Sequence, residues 1–384
     1  MTSEVRASSM PTPGPTSTRT LGNFDFRHNS LNALRLVLAV LVIISHTWPI
    51  GGFGSDPRWG DFMIGTWAVA GFFAISGWLI MGSRLAAPLG TYLWRRFLRI
   101  YPAFLVCLGV VGFAFAPMGA ALGGGSAGLL DGLRYVAANS LLVIAQPRVG
   151  ETPTSLPYPD SWNGSLWTLF YEVLCYVMVG LIVSLVSRRL LPVATAIGLV
   201  GVSIAELAIG AGLPAPYGLH LLTMLAPFFF AGSLLFLYRD RIPLSLPLAG
   251  LSLAACLVIA LTGINGVLLA VPLAYLLLWL GDRLPLQSVG ARNDISYGIY
   301  IYAFPVQQIL ALLDVPRAGP AAFALAAVAA TVPLAALSWF AVERPARRLR
   351  RVLRRERAQG DGETAGRRGP VTRSPGTSGS TLAK

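Results

Sequence analysis

Runs of about twenty apolar residues, such as 31–50 and 318–342, constrain this chain more than any other feature. As helices they match a bilayer core of roughly 30 Å. Only 12% of the 384 residues are charged while 54% are hydrophobic. That is about half the charge of a typical soluble domain, too little to cover a water-facing surface. Several such runs in one chain predict a single all-α, polytopic integral membrane domain rather than two soluble ones.

The net charge is +13, and Lys384 is the only lysine among thirty basic residues. Arginine clusters can neutralise nucleic-acid phosphates. Here the arginines fall between apolar runs and accumulate from Arg344 to Arg357, as in cytoplasmic loops of membrane proteins, so no nucleic-acid partner is expected. Cys107, Cys175 and Cys256 all sit inside apolar runs and read as small core residues, with no disulfide, metal or redox role. The first apolar run exceeds a signal peptide's apolar core and lacks a small-residue cleavage site, so it is expected to be retained.

Residues 1–28 and 349–384 are expected to be disordered cytoplasmic tails, the first rich in Pro, Ser and Thr, the second in Gly, Ser, Thr and Arg. Between them lies a membrane domain, 29–348, with ten spans near 31–50, 64–82, 101–122, 166–187, 191–211, 217–238, 244–263, 265–281, 294–313 and 318–342. With both termini inside, the inner loops collect Arg84, Arg95, Arg96, Arg99, Arg188, Arg189, Arg239, Arg241, Arg283 and Arg292, as the positive-inside rule requires. Segment 128–145 contains Asp131, Arg134 and Asn139, and spanning would flip every later arginine loop. It is therefore read as a re-entrant or interfacial helix opening an outer loop that reaches about Gly164. No inverted repeat of the transporter kind is visible.

Ionisable groups in hydrocarbon cost several kcal/mol and need a reason to be there. The first span carries Arg35 and His46. Eleven residues amount to about 1100° of helix rotation, so the two share a face about 16 Å apart along the axis. Arg35 can also snorkel to lipid phosphate, and His46 can be an interfacial histidine beside Trp48. Glu172 in the fourth span matches the depth of His46, and a carboxylate beside an imidazole suits a general base, although a buried structural pair is the alternative. Near the cytoplasmic end gather Arg95, Arg96, Arg99, Tyr297, Tyr300 and Glu343. Arg96 and Arg99, three apart on a helix, suit a phosphate or pyrophosphate, although positive-inside topology alone also explains them. His220 and Glu206 are read as structural, and Gly71, Ser76 and Gly77 as sites of close helix approach.

In order along the chain, six motifs accompany this topology: LNALRLVLAVLVIISHTWP, GFFAISGWLI, WRRFLRIYP, SLWTLFYEVLCY, ISYGIYIYAFPV and SWFAVERPAR. Together they resemble the acyltransferase 3 family of membrane trans-acylases from about Ser30 to Arg348. The resemblance implies transfer of an acyl group, commonly acetyl from acetyl-CoA, onto hydroxyls of saccharides and other acceptors. It ties Arg35 and His46 to activity and Arg96 and Arg99 to the acyl donor. It also marks Ser296 and Tyr297, with Ser76, Trp167, Tyr300 and Glu343 as further motif positions. One departure is Ala303, which stands where many members have histidine.

The reading is an O-acyltransferase of the inner membrane, taking acyl-CoA from the cytoplasm as donor substrate with no permanently bound cofactor. His46, oriented by Glu172, would deprotonate an acceptor hydroxyl on a saccharide or other glycan-like molecule while Arg35, Arg96, Arg99 and Tyr297 serve the donor. An acyl-enzyme on His46 or Ser76 is an open variant. The rival is an exporter of a glycan or small metabolite using the same polar residues as a pathway. An antibiotic or other secondary metabolite is an alternative acceptor, and the oligomeric state is left open.

Overall fold

The computed structural model describes residues 19–349 apart from 61 and 265. Twelve helices follow one another: α1 (Leu31–Gly51), α2 (Ile64–Leu85), α3 (Leu89–Val110), α4 (Ala116–Gly123), α5 (Leu129–Asn139), α6 (Thr168–Leu185), α7 (Leu191–Gly210), α8 (Tyr217–Leu237), α9 (Leu246–Thr262), α10 (Ala270–Arg283), α11 (Ser296–Leu312) and α12 (Pro320–Ser338). The strands are one two-residue pair, Arg58–Trp59 with Phe62–Met63. Among the described residues, eight helices are long and apolar enough to cross a membrane, and each of the ten expected segments is helical. Two of the ten, α9 and α11, have only 17 residues each.

The third expected segment is the latter part of something longer. From Leu89 the helix runs through a π-turn at Val111–Phe115 to Gly123, 35 residues in all. At 1.5 Å per residue that is about 52 Å, more than a bilayer core, so it must tilt or protrude. Arg95, Arg96 and Arg99 therefore belong to a helix, not to a loop. The π-turn brings Gly112 against α5, where a Cβ would lie 3.2 Å from the Gly132 carbonyl oxygen.

α5 has the expected character of a short non-spanning helix. Leu129, Leu130 and Leu133 are exposed while Tyr135 and Asn139 are buried, an apolar face suited to lipid and a face suited to the bundle. The loop after it dips into the bundle: Asn163 donates through Nδ2 to the Ile301 carbonyl at 2.7 Å.

α2 and α8 make the closest helix pair, and glycine is the cause. A Cβ on Gly77 would fall 1.9 Å from the Phe229 carbonyl oxygen, and one on Gly232 would fall 2.0 Å from that of Ala74. α11 lies at the centre, with every residue from Ser296 to Ile309 buried. Its glutamines bond through their amide nitrogens, Gln307 donating to the Ile43 carbonyl at 3.0 Å and Gln308 to that of Ser161 at 2.7 Å, while both Oε1 atoms are buried without a partner. Ala303 sits in an apolar seam with Ala39, Ile43, Ala327 and Ala335.

Residues 19–28 differ from the expected tail. Leu21 is fully buried, its amide donates to the Ile242 carbonyl at 2.9 Å, and Arg19 pairs with Asp282 at 2.8 Å. Phe24 and Phe26 pack their rings on Trp78. Two buried apolar side chains, Leu21 and Phe24, offset the polar composition around them, which composition averages conceal. The remainder of the expected tails, 1–18 and 350–384, lies outside the described residues.

Polar residues outside the cavities tie neighbouring helices together. His220 and Thr223 both reach the buried Glu206, at 3.3 Å and 2.6 Å, joining α7 to α8. All three cysteines are free thiols. Arg84 is buried and bonded to Gly180, Ala87 and Ser184, so it fastens α2 to α6.

Candidate active site

Two adjoining cavities along α1 hold most of the expected residues. The larger, about 120 Å3, is lined by His46, Ser45, Asp56, Ser165, Trp167 and Thr168 among others. The smaller, about 40 Å3, is lined by Arg35, Ser76, Glu172, Ser296 and Tyr297. Val69, Thr168 and Tyr300 line both. Arg35 and His46 thus open into adjoining spaces from one helix, as their spacing of eleven requires.

His46 and Glu172 are not brought together, contrary to the depth estimate. Glu172, in the wall of the smaller cavity, accepts hydrogen bonds from Ser76 (3.0 Å) and from Tyr176. The physical reason is the dip before α6. Gly164, Ser165 and Trp167, in the segment before α6, line the cavity of His46, and Glu172 on α6 lines the smaller one instead. The carboxylate that shares His46's cavity is Asp56, from the loop after α1. Ser45 donates to it at 2.9 Å and is itself fixed by the Gly65 amide at 2.9 Å. The His46 ring stands edge-on to Phe304 at 5.1 Å, and its Nδ1 is buried with no hydrogen-bond partner. Nε2 is then the nitrogen available to a substrate.

At the other end, an acidic residue that the sequence reading passed over organises the arginines. Asp294, just before α11, lies 2.7 Å from Arg35, 3.4 Å from Arg99 and 3.9 Å from Arg347, and it accepts from Ser296 at 2.6 Å. Burial alone would raise its carboxyl, but the guanidiniums of Arg35 and Arg99 outweigh that and hold it well below the usual carboxylate range. A signal was present: Asp294 is two residues before the singled-out Ser296, at the edge of an apolar run.

The remaining expected residues are divided. Tyr297 donates to the Ile100 carbonyl at 2.8 Å and Tyr300 to the Ser165 carbonyl at 2.7 Å. Arg96 bonds Ser83 at 3.2 Å, leaves its Nε buried without a hydrogen bond, and borders a separate apolar cavity of about 200 Å3 between α3 and α6. Glu343 is buried in the π-turn Trp339–Glu343, and neither carboxylate oxygen has a hydrogen-bond partner. It lines neither of the two cavities. Among the described residues no group of acidic, cysteine and histidine side chains is arranged to hold a metal ion.

This arrangement supplies a ring nitrogen at one depth and guanidiniums at another, the parts needed for a proton acceptor and an anion clamp. The chain is similar to an O-acetyl transferase of Shigella phage Sf6, with 30% identity over 330 residues covering 83% of this chain and 96% of that protein. It is also similar to Nodulation protein 10 of Rhizobium leguminosarum bv. viciae, with 27% identity over 380 residues covering 88% and 98%. No solved structure matches. A family model described as an acyltransferase domain matches residues 28–340, the helical bundle and both cavities together, and the chain belongs to this acyltransferase 3 family of multi-pass membrane enzymes.

Proposed function

We propose that the protein is an O-acetyltransferase of the inner membrane that moves an acetyl group from acetyl-CoA on the cytoplasmic side to a hydroxyl of a saccharide or other glycan-like acceptor. The observation that carries this reading is the placement of Arg35 and His46 on one face of α1, in cavities that adjoin. About 16 Å separates them along the axis, a span suited to a pantetheine arm. The name of the phage relative supports the acetyl group and the oxygen acceptor.

In this mechanism the arginine-rich end grips the phosphates of the donor and its thioester reaches the His46 cavity. His46 Nε2 takes the proton of the acceptor hydroxyl as the oxygen attacks the thioester carbonyl. The new C–O bond forms, the C–S bond breaks, and the proton passes to the departing thiolate to give free CoA and the ester. Asp56, the carboxylate in the same cavity, would favour the imidazolium by its charge rather than orient the ring, whose Nδ1 has no hydrogen-bond partner. Purified protein supplied with labelled acetyl-CoA and candidate glycans should move label to the glycan. Label that stays on CoA with every acceptor, while the glycan crosses a vesicle membrane, would identify an exporter instead.

Arginine parity supports cytoplasmic termini and an outer position for the loop around Pro157. An impermeant thiol reagent added outside should label a cysteine placed near Pro157 and spare one near Leu89. The opposite pattern would invert the orientation.

The donor arginines make separable predictions. Arg96→Ala removes a charge-assisted contact of about 1.5–3 kcal/mol, so acetyl-CoA should bind roughly ten- to a hundredfold more weakly with little change in Tm. Arg99→Ala should lose affinity and also lower Tm, because Arg99 is a partner of Asp294. Lysine at either position should restore only part of the affinity, lacking the planar fork. Calorimetric titration of acetyl-CoA showing unchanged affinity in both alanine variants would move the phosphate site elsewhere.

A further inference from the structure

We propose that Asp56 sets the acceptor class: it makes the cavity of His46 a site for an uncharged saccharide and excludes acceptors with a carboxylate or phosphate near the reacting hydroxyl. The inference rests on the saccharide-acceptor reading above and narrows it.

The charge of this cavity is one-sided. Among the described residues that line it, Asp56 is the one acidic side chain, and no arginine or lysine stands with it. Arg58, in the strand that follows, is exposed and lies outside the lining. Arg35, the cation of α1, is about 16 Å from His46 along the helix and is held by Asp294 at 2.7 Å. An anionic group entering beside His46 therefore meets a carboxylate with no basic side chain to offset it. Val42, Met63, Val69, Met224 and Leu225 make much of the remaining wall apolar, so the repulsion is weakly screened.

The carboxylate is fixed in place. Ser45 donates to its Oδ1 at 2.9 Å, and the Gly65 amide donates to Ser45 Oγ at 2.9 Å, so Asp56 is tied both to α1 and to the start of α2. That leaves Oδ2 for a ligand. A carboxylate only accepts hydrogen bonds, so a sugar hydroxyl can donate to it, whereas a uronate or phosphate brings oxygen against oxygen. A second carboxylate adds to the field at this end. Tyr158 packs edge-on to Phe304, which in turn meets the His46 ring. Burial, and then the charges of Asp160 and Asp56, push the Tyr158 hydroxyl above its ordinary value, so both carboxylates act on the same neighbourhood.

The test supplies acetyl-CoA with a panel of neutral hexose glycosides and the hexuronate glycosides that differ from them by one carboxylate, and reads the ratio of kcat/KM within each pair. The unaltered protein should favour the neutral member by roughly a hundredfold, the scale of a like-charge contact. Asp56→Asn should reduce that ratio about tenfold or more, while Asp56→Glu, which keeps the charge, should preserve it. Removing the charge also slows transfer to every acceptor, and the ratio cancels that common loss. A ratio in Asp56→Asn within twofold of the unaltered protein overturns the proposal, and Asp56→Ser decides in the same way if the asparagine variant fails to fold. Equal use of both members by the unaltered protein, or preference for the hexuronate, also overturns it while leaving acetyl transfer to saccharides standing. A panel in which no saccharide is acetylated would instead remove the saccharide-acceptor reading and this inference with it.

Discussion

His46→Gln should lose nearly all acyl transfer, about 10²- to 10⁴-fold, while still inserting in the membrane and binding acetyl-CoA. A neutral amide fills the space beside Phe304 but cannot accept a proton from the hydroxyl. His46→Ala should fail likewise, with the added loss of the edge contact to Phe304. In the unaltered protein the rate should rise with pH through one titrating group, and this limb should be missing from the residual rate of His46→Gln. The two carboxylates then become distinguishable. Asp56→Asn should displace the limb along the pH axis, because Asp56 shares the cavity with the imidazole. Glu172→Gln should leave the limb in place, because its bonds go to Ser76 and Tyr176. Full turnover by His46→Gln at saturating acetyl-CoA would reduce His46 to an interfacial structural histidine.

Asp294→Ala should be the most damaging change to stability. It leaves Arg35, Arg99 and Arg347 facing one another without the carboxylate they share. Removing one partner of a buried ion cluster costs about 3–5 kcal/mol, since the remaining charges stay desolvated. Arg35→Met should cost less, because Asp294 keeps Arg99 at 3.4 Å, yet it should abolish transfer if Arg35 serves the donor. The pH dependence follows from the depressed carboxyl of Asp294. A carboxyl whose folded-state value is lowered contributes fully above its unfolded value of about 3.9 and loses that contribution only as pH falls through the lower folded value. Stability from this cluster should therefore be flat across neutral pH and decline only in acid. Thermal unfolding in detergent checks all three points. An Asp294→Ala protein that melts with the parent would show that the cluster is not structural.

Much of this protein is fixed locally. Length, apolarity and arginine placement determine a helical membrane chain, because each span has to satisfy its own backbone and so carries its signature in about twenty consecutive residues. The shared face of Arg35 and His46 is likewise a property of one helix, set by 3.6 residues per turn. The family motifs could be read for the same reason, being short strings in a fixed order. The burial of Leu21 and Phe24 was not legible in this way, because it depends on partners distant in sequence, the Ile242 carbonyl for Leu21 and Trp78 of α2 for Phe24. Nor was the partner of His46. A helical wheel gives depth along one axis, but the lateral neighbour depends on how far the loop before α6 sinks into the bundle. Glu172 lines the cavity of Arg35, and Asp56 lines that of His46. The same holds for Asp294, whose three arginines come from α1, α3 and the segment after α12. The sequence by itself determined the helices, their polar faces and the chemistry those faces can carry, since these arise from covalent spacing and transfer free energy. Only the tertiary structure decided which carboxylate meets which cation and which residues line each cavity, since those depend on contacts between helices whose positions no single segment encodes.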